Sequence, residues 1–142
     1  MSSIFHQTRS MAFLYAFSKI FLAISIIHVW SVNASKSSRW RAGDAQNLRE
    51  EFRFYGYSRL SMYIVGFFKI GLSVMLIASL YYTSVSQLAA FGLAAFLISA
   101  IVMHIKVKDP WEKSFPAALF LLMALLIGFT FDPDIVNAFI HE

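Results

Sequence analysis

Residues 60–105 read LSMYIVGFFKIGLSVMLIASLYYTSVSQLAAFGLAAFLISAIVMHI, and this stretch decides the fold. It holds two continuous apolar runs, Leu60 to Tyr82 and Val85 to Ile105, interrupted only by Thr83 and Ser84. Each run meets the length of about 20 residues that a helix needs to cross a hydrocarbon core. A membrane barrel would show shorter segments of alternating polarity, so strands fit poorly. The spacing predicts two transmembrane helices joined as a tight antiparallel hairpin.

Working outward, Met11 to Val32 and Phe115 to Phe131 are the other two stretches of this kind. Ser114 is placed to cap the last of them, with Pro116 in its first turn and Asp132-Pro133 as its stop. The expected fold is therefore all-α, a transmembrane four-helix bundle, with residues 1–142 forming one integral membrane domain. Composition agrees: the chain is 58 % hydrophobic and 14 % charged, against about a quarter charged in ordinary soluble domains. There is no cysteine, which excludes disulfides, thiolate metal sites and thiol redox chemistry.

The first loop is the one long polar insertion. Within it Leu48, Phe52 and Tyr55 recur at helical spacing, while Arg49, Glu50, Glu51 and Arg53 occupy the other faces. This pattern predicts a short amphipathic helix over about 44–55, capped by Asp44 and lying on the membrane surface, with Trp40 as an interfacial anchor. The residues from Asp134 to the C-terminus carry Ile135, Val136, Phe139 and Ile140 on one side and are expected to rest on the outer surface.

The net charge is +4, and nine of the twelve Lys and Arg residues lie in two loops. Lys36, Arg39, Arg41, Arg49, Arg53 and Arg59 fall in the first, and Lys106, Lys108 and Lys113 in the third. That asymmetry is a positive-inside signature, not a nucleic-acid surface. It places loops one and three in the cytoplasm and both termini outside. Val32-Asn33-Ala34 has the spacing of a signal-peptidase site, but the preceding run is longer than a signal core and holds Lys19, so the first segment is expected to stay as a helix.

Lys19 and Lys69 lie inside transmembrane segments, where a charge is a functional hypothesis by default. Insertion survives it. Eleven Leu, Ile, Val and Phe residues in the second span each contribute roughly −0.3 to −0.6 kcal/mol, against about +3 for one lysine. From their positions along the two helices, the lysines have backbones at similar depth. No Asp or Glu lies within any span, so the lysines can snorkel, hydrogen-bond hydroxyls, or bind an anionic or carbonyl-bearing ligand. His28 and His104, near the ends of the first and third spans, share a level. As a pair without nearby carboxylates they can cap carbonyls, carry protons, bond a quinone carbonyl or ligate a metal. The small residues Gly66, Gly71, Ser73, Gly92, Ala95, Ser99 and Ala100 are read as helix-packing positions. No residue is assigned a catalytic role.

The run FGLAAFLISAIVMHIKVKDPWEKSFPAALFLLMALLI, from Phe91 to Ile127, resembles the end of a DoxX-like membrane protein: a small-residue-rich third helix ending in histidine, a basic-Asp-Pro loop, and a Pro-Ala pair opening the fourth helix. FRFYGYSRLSMYIVGFFKIGLSVMLIASL, from Phe52 to Leu80, is similar to that family's second helix and its approach. The likeness covers roughly residues 52–131. Where members often carry a glutamate after the second-helix glycine, this chain has Lys69. The resemblance implies a four-helix integral membrane protein, and family members include quinone oxidoreductase subunits, partners of redox and stress complexes, and an assembly chaperone. The similar four-helix core of vitamin K epoxide reductase works through cysteines that are lacking here. The expected function is a non-catalytic accessory or assembly subunit of a larger complex in a bacterial inner membrane. Its partners would be the lipid bilayer and a membrane protein or a second copy, without nucleic acid. A quinone-associated oxidoreductase subunit, with quinone as cofactor, is the second reading, and a small-anion transporter the third.

Overall fold

The computed structural model describes residues 2–130, apart from the side chains of residues 2, 4, 5 and 8. The expected surface segment after Asp134 and the Asp132-Pro133 stop lie outside the described residues. Among those described, every regular element is helical: α1 (Ser2–Trp30), α2 (Leu48–Phe54), α3 (Arg59–Ala78), α4 (Ser86–Lys106) and α5 (Phe115–Phe129), with short 3₁₀ turns at Thr83–Val85 and Trp111–Ser114. Stretches of α1 and α3, and of α4 and α5 with their leading 3₁₀ turns, are long and apolar enough to cross a membrane. The chain is an all-helical membrane bundle.

Each long helix turns a stripe at helical spacing inward: Ala12, Ala16, Lys19, Leu22, Ala23 and Ile26 on α1, Gly66, Lys69, Ser73 and Leu76 on α3, and Ala89, Ala90, Leu93, Ala94 and Leu97 on α4. Leu22, Leu76, Leu93 and Ile127 fill the centre. Lipid is as apolar as these side chains, so close packing holds the bundle, and the alanines allow that approach. Gly66 and Gly92 serve the same end, since an added Cβ would lie 2.9 Å from Trp30 or from Leu72. Gly71, Ala95 and Ser99 do not, because they face outward. The outer faces carry Phe13, Phe17, Phe67 and Leu122, as a lipid-facing surface should.

Helix ends depart from the hydropathy reading because hydrogen bonds set them. α3 starts at Arg59, where Ser58 Oγ accepts from Ser61 N at 3.2 Å. It stops at Ala78, so the connection to α4 runs from Ser79 to Val85 and is longer than the expected Thr83-Ser84 joint. Ser114 makes no side-chain cap; α5 grows out of the 3₁₀ turn that follows Pro110. In the first loop the helix spans only Leu48–Phe54, and its cap is Asn47, whose Oδ1 accepts from Glu50 N at 2.8 Å. Asp44 lies too far upstream for that role.

Candidate functional site

α2 does not present a polar face all round to water. Its inward side carries Leu48 and Glu51, both buried, together with Phe52 and Tyr55. Glu51 turns inward because loop one wraps a cation around it: Arg41 Nη1 reaches Glu51 Oε2 at 3.0 Å, and Ala42 N donates to Oε1 at 3.2 Å. Arg41 is itself held by two loop carbonyls, Lys36 O at 2.9 Å and Asn33 O at 2.6 Å. A buried ion pair costs desolvation unless its remaining donors and lone pairs are met, and these contacts meet them.

The pair continues into α4. Tyr55 Oη donates to Glu51 Oε1 at 3.0 Å and also lies 3.4 Å from His104 Nε2. On the other side of the ring, His104 Nδ1 lies 2.8 Å from Asp109 Oδ2. Asp109 Oδ1 accepts from Gly43 N at 3.0 Å, and Lys113 Nζ donates to Gly43 O at 2.7 Å. Loops one and three are thus sewn together by Arg41, Glu51, Tyr55, His104, Asp109 and Lys113. Burial, and next the Glu51 carboxylate, push the Tyr55 phenol above its ordinary range. The histidine read as lacking carboxylates therefore has one in direct contact and a second one hydroxyl away.

Beneath this network lies a cavity of about 680 Å³ between α3 and α4, with Leu48, Glu51 and Phe52 of α2 roofing its polar end. Ile64, Val65, Phe96, Ile98 and Val102 form its apolar walls, while Lys69, Glu51, Tyr55 and His104 form its polar end. That volume falls in the range of small-ligand sites, about 300–1,000 Å³. Lys69 is 9 % exposed, and its Nζ lies 4.8 Å from the Trp30 ring centroid. A second, smaller cavity of about 220 Å³ shares Lys69, Trp30, Arg41 and Glu51 and extends toward Lys113 and Phe120.

Of the four residues singled out from sequence, Lys69 and His104 come together at this cavity; the other two do not. Helical side chains lean toward the N-terminus of their own helix. α3 begins at loop one and α1 ends there, so the two lysines send their amines in opposite directions despite similar backbone depth. Lys19, 2 % exposed, lies over the Tyr15 ring at 4.4 Å. Tyr15 in turn contacts Ser86 Oγ at 3.2 Å and Ile127 O at 3.4 Å, away from loop one. His28 is exposed, and its carbonyl accepts from Ser31 and Asn33 as the helix ends. Among the described residues no cluster of three or more His, Asp or Glu side chains is placed to hold a metal.

Arg41, Glu51, Tyr55 and Asp109 were not marked by sequence. The available signals were the four-residue step from Glu51 to Tyr55, which puts them on one helix face, and the acid five residues after His104.

The sequence profile of the DoxX-like family matches residues 29–126. The match reaches further upstream than the likeness read from residues 52–131, and it takes in Trp30 and the whole of loop one. Every member of the cavity network lies inside it, and Lys19 lies outside. Comparison with curated proteins and with solved structures returns no match.

Proposed function

The chain belongs to the DoxX-like family, and from that premise we propose that it is a small accessory subunit of a larger membrane complex, holding an amphipathic ligand of the quinone class without catalysing its reaction. The observation that carries this reading is the Lys69 ammonium, which lines an apolar-walled cavity and makes no hydrogen bond to any described residue. Arg41 and Glu51 neutralise each other, and Asp109 is engaged by His104 and Lys113. Lys69 is the cation left over. A quinone carbonyl would give that ammonium the acceptor it lacks, and the ring and tail would lie along Ile64, Val65 and Phe96. The positive-inside count supports a cytoplasmic level for the polar end of this cavity.

The test is purification of the full chain in mild detergent, followed by mass spectrometry of extracted lipids and quinones and of copurifying proteins. The expected result is near-stoichiometric retention of a quinone by the wild type and its loss from Lys69→Met, with a membrane-protein partner retained by both. Retention of an anionic lipid in place of a quinone would reassign the ligand. A reproducible protein partner with no bound amphiphile would leave the accessory role and remove the ligand. A quinone retained equally by Lys69→Met would overturn the assignment of the lysine.

A further inference from the structure

Tyr55 has one hydroxyl proton and faces two groups that want it. Glu51 Oε1 lies at 3.0 Å and His104 Nε2 at 3.4 Å. What Nε2 offers depends on the far side of the ring. A proton must lie between His104 Nδ1 and Asp109 Oδ2, which are 2.8 Å apart. Asp109 already accepts from Gly43 N at 3.0 Å and faces Lys113 Nζ at 4.0 Å, so it is held as a carboxylate and the proton belongs to Nδ1.

With the ring neutral, Nε2 then carries a lone pair and needs the Tyr55 proton. Glu51, an ionised acceptor at shorter range, takes that proton instead. One buried contact is left unmade, with the oxygen lone pairs of Tyr55 facing that of Nε2. Once His104 gains a second proton, Nε2–H donates to Tyr55 Oη while Tyr55 O–H donates to Glu51, and every contact in the chain is made at once.

The charged groups around the His104 ring are Glu51 from α2, Asp109 from loop three, Lys69 from α3, Arg41 from loop one and Lys113 before α5. Arg41 is engaged by Glu51 at 3.0 Å, and Lys113 is bonded to Gly43 O at 2.7 Å. Tyr55 is the C-cap residue of α2, and the same helix supplies Leu48 and Phe52 to the roof of the cavity.

We infer that protonation of His104 clamps α2 onto α4 through Tyr55 and closes the roof of the Lys69 cavity, and that loss of the proton releases it. The purpose of such a gate, controlling exchange of a ligand with the bilayer, rests on the ligand reading above; the gate itself does not. It is testable in the full chain reconstituted without added ligand. Trp30 lines the cavity, so a Trp40→Phe/Trp111→Phe background leaves it as the single reporter. Quenching by lipids with brominated acyl chains then reads bilayer access to the cavity with a quencher that does not titrate.

One charge-assisted hydrogen bond should shift the open-to-closed ratio about tenfold, so Trp30 quenching should fall as pH is lowered from about 8 to 5, the range in which imidazoles change charge. His104→Gln and Tyr55→Phe should each abolish that dependence. Tyr55→Phe keeps the His104–Asp109 contact and decides the matter if His104→Gln fails to fold. Quenching that is equal at both pH values, or that keeps its pH dependence in Tyr55→Phe, would overturn the gate. Failure to find any copurifying amphiphile would leave this result untouched.

Discussion

Lys69 places an ammonium where the bilayer penalises it, and its neighbours compensate only in part: an aromatic face at 4.8 Å and a carboxylate, Glu51, at the same cavity. A residue kept at a cost should show that cost on removal. Lys69→Met, which keeps the apolar stem, is expected to raise the stability of the ligand-free protein by about 1–3 kcal/mol, read from thermal unfolding in detergent. A fall in stability would mean that the lysine supports the fold. Tyr55 offers a second measurement. Its phenol is raised above the ordinary value near 10, so the folded state favours the protonated form. The associated stabilisation is complete below about pH 10 and is lost as pH rises further, because the unfolded chain then releases a proton that the folded one retains. Tyr55→Phe should flatten this alkaline decline in a pH series of unfolding midpoints; an identical decline in both proteins would sink the account. Lys69 was legible from sequence because a charge in an apolar run is conspicuous. Glu51 was not, since its burial depends on Arg41 and the Ala42 amide, ten and nine residues earlier, and a charged residue in a loop helix reads as solvated.

At the scale of elements, hydropathy located the four long helices because apolar length is a property of composition. It misjudged their ends because caps are local hydrogen bonds. α3 stops at Ala78 although the sequence stays apolar through Tyr82. Asn47 rather than Asp44 caps α2 because its Oδ1 meets Glu50 N. How helices meet was legible only as a stripe of small residues, and one contact in that stripe now bears on the site. A Cβ on Gly66 would lie 2.9 Å from Trp30 Cε3. That ring has little room to yield, since Phe52 packs edge-on against it at 5.7 Å. Gly66→Ala should therefore push α1 and α3 apart or tilt the indole, costing about 1–3 kcal/mol by overpacking. The same shift would move the aromatic face from Lys69 and displace Phe52 in the cavity roof. A lowered unfolding midpoint together with altered Trp30 emission is the expected outcome; an unchanged midpoint would show that the α1–α3 seam is looser than this geometry.

The whole molecule is polarised along its axis. Arg41, Glu51, Asp109 and Lys113 tie loops one and three into a single cap over one end of the bundle, and nine of the twelve Lys and Arg residues lie in those loops. The opposite end, around Tyr81 and Tyr82, carries exposed aromatics, and the connection from Ser79 to Val85 has no charge. Packing requires the two loops to share a side, and the basic excess predicts the cytoplasmic one, since short loops rich in Lys and Arg tend to be retained there. Lys69, leaning toward the N-terminus of α3, directs its amine toward the end capped by loops one and three, and Lys19 directs its own toward the opposite end. The absence of cysteine from the native chain makes this orientation directly measurable. Ser37→Cys, in loop one, should resist a membrane-impermeant maleimide in intact cells and react after permeabilisation, whereas Tyr82→Cys should react in intact cells. The reverse pattern would invert the protein and place the cavity's polar end outside. Labelling of both sites in intact cells would mean mixed insertion, and a gate set by the pH of one compartment would then lose its meaning.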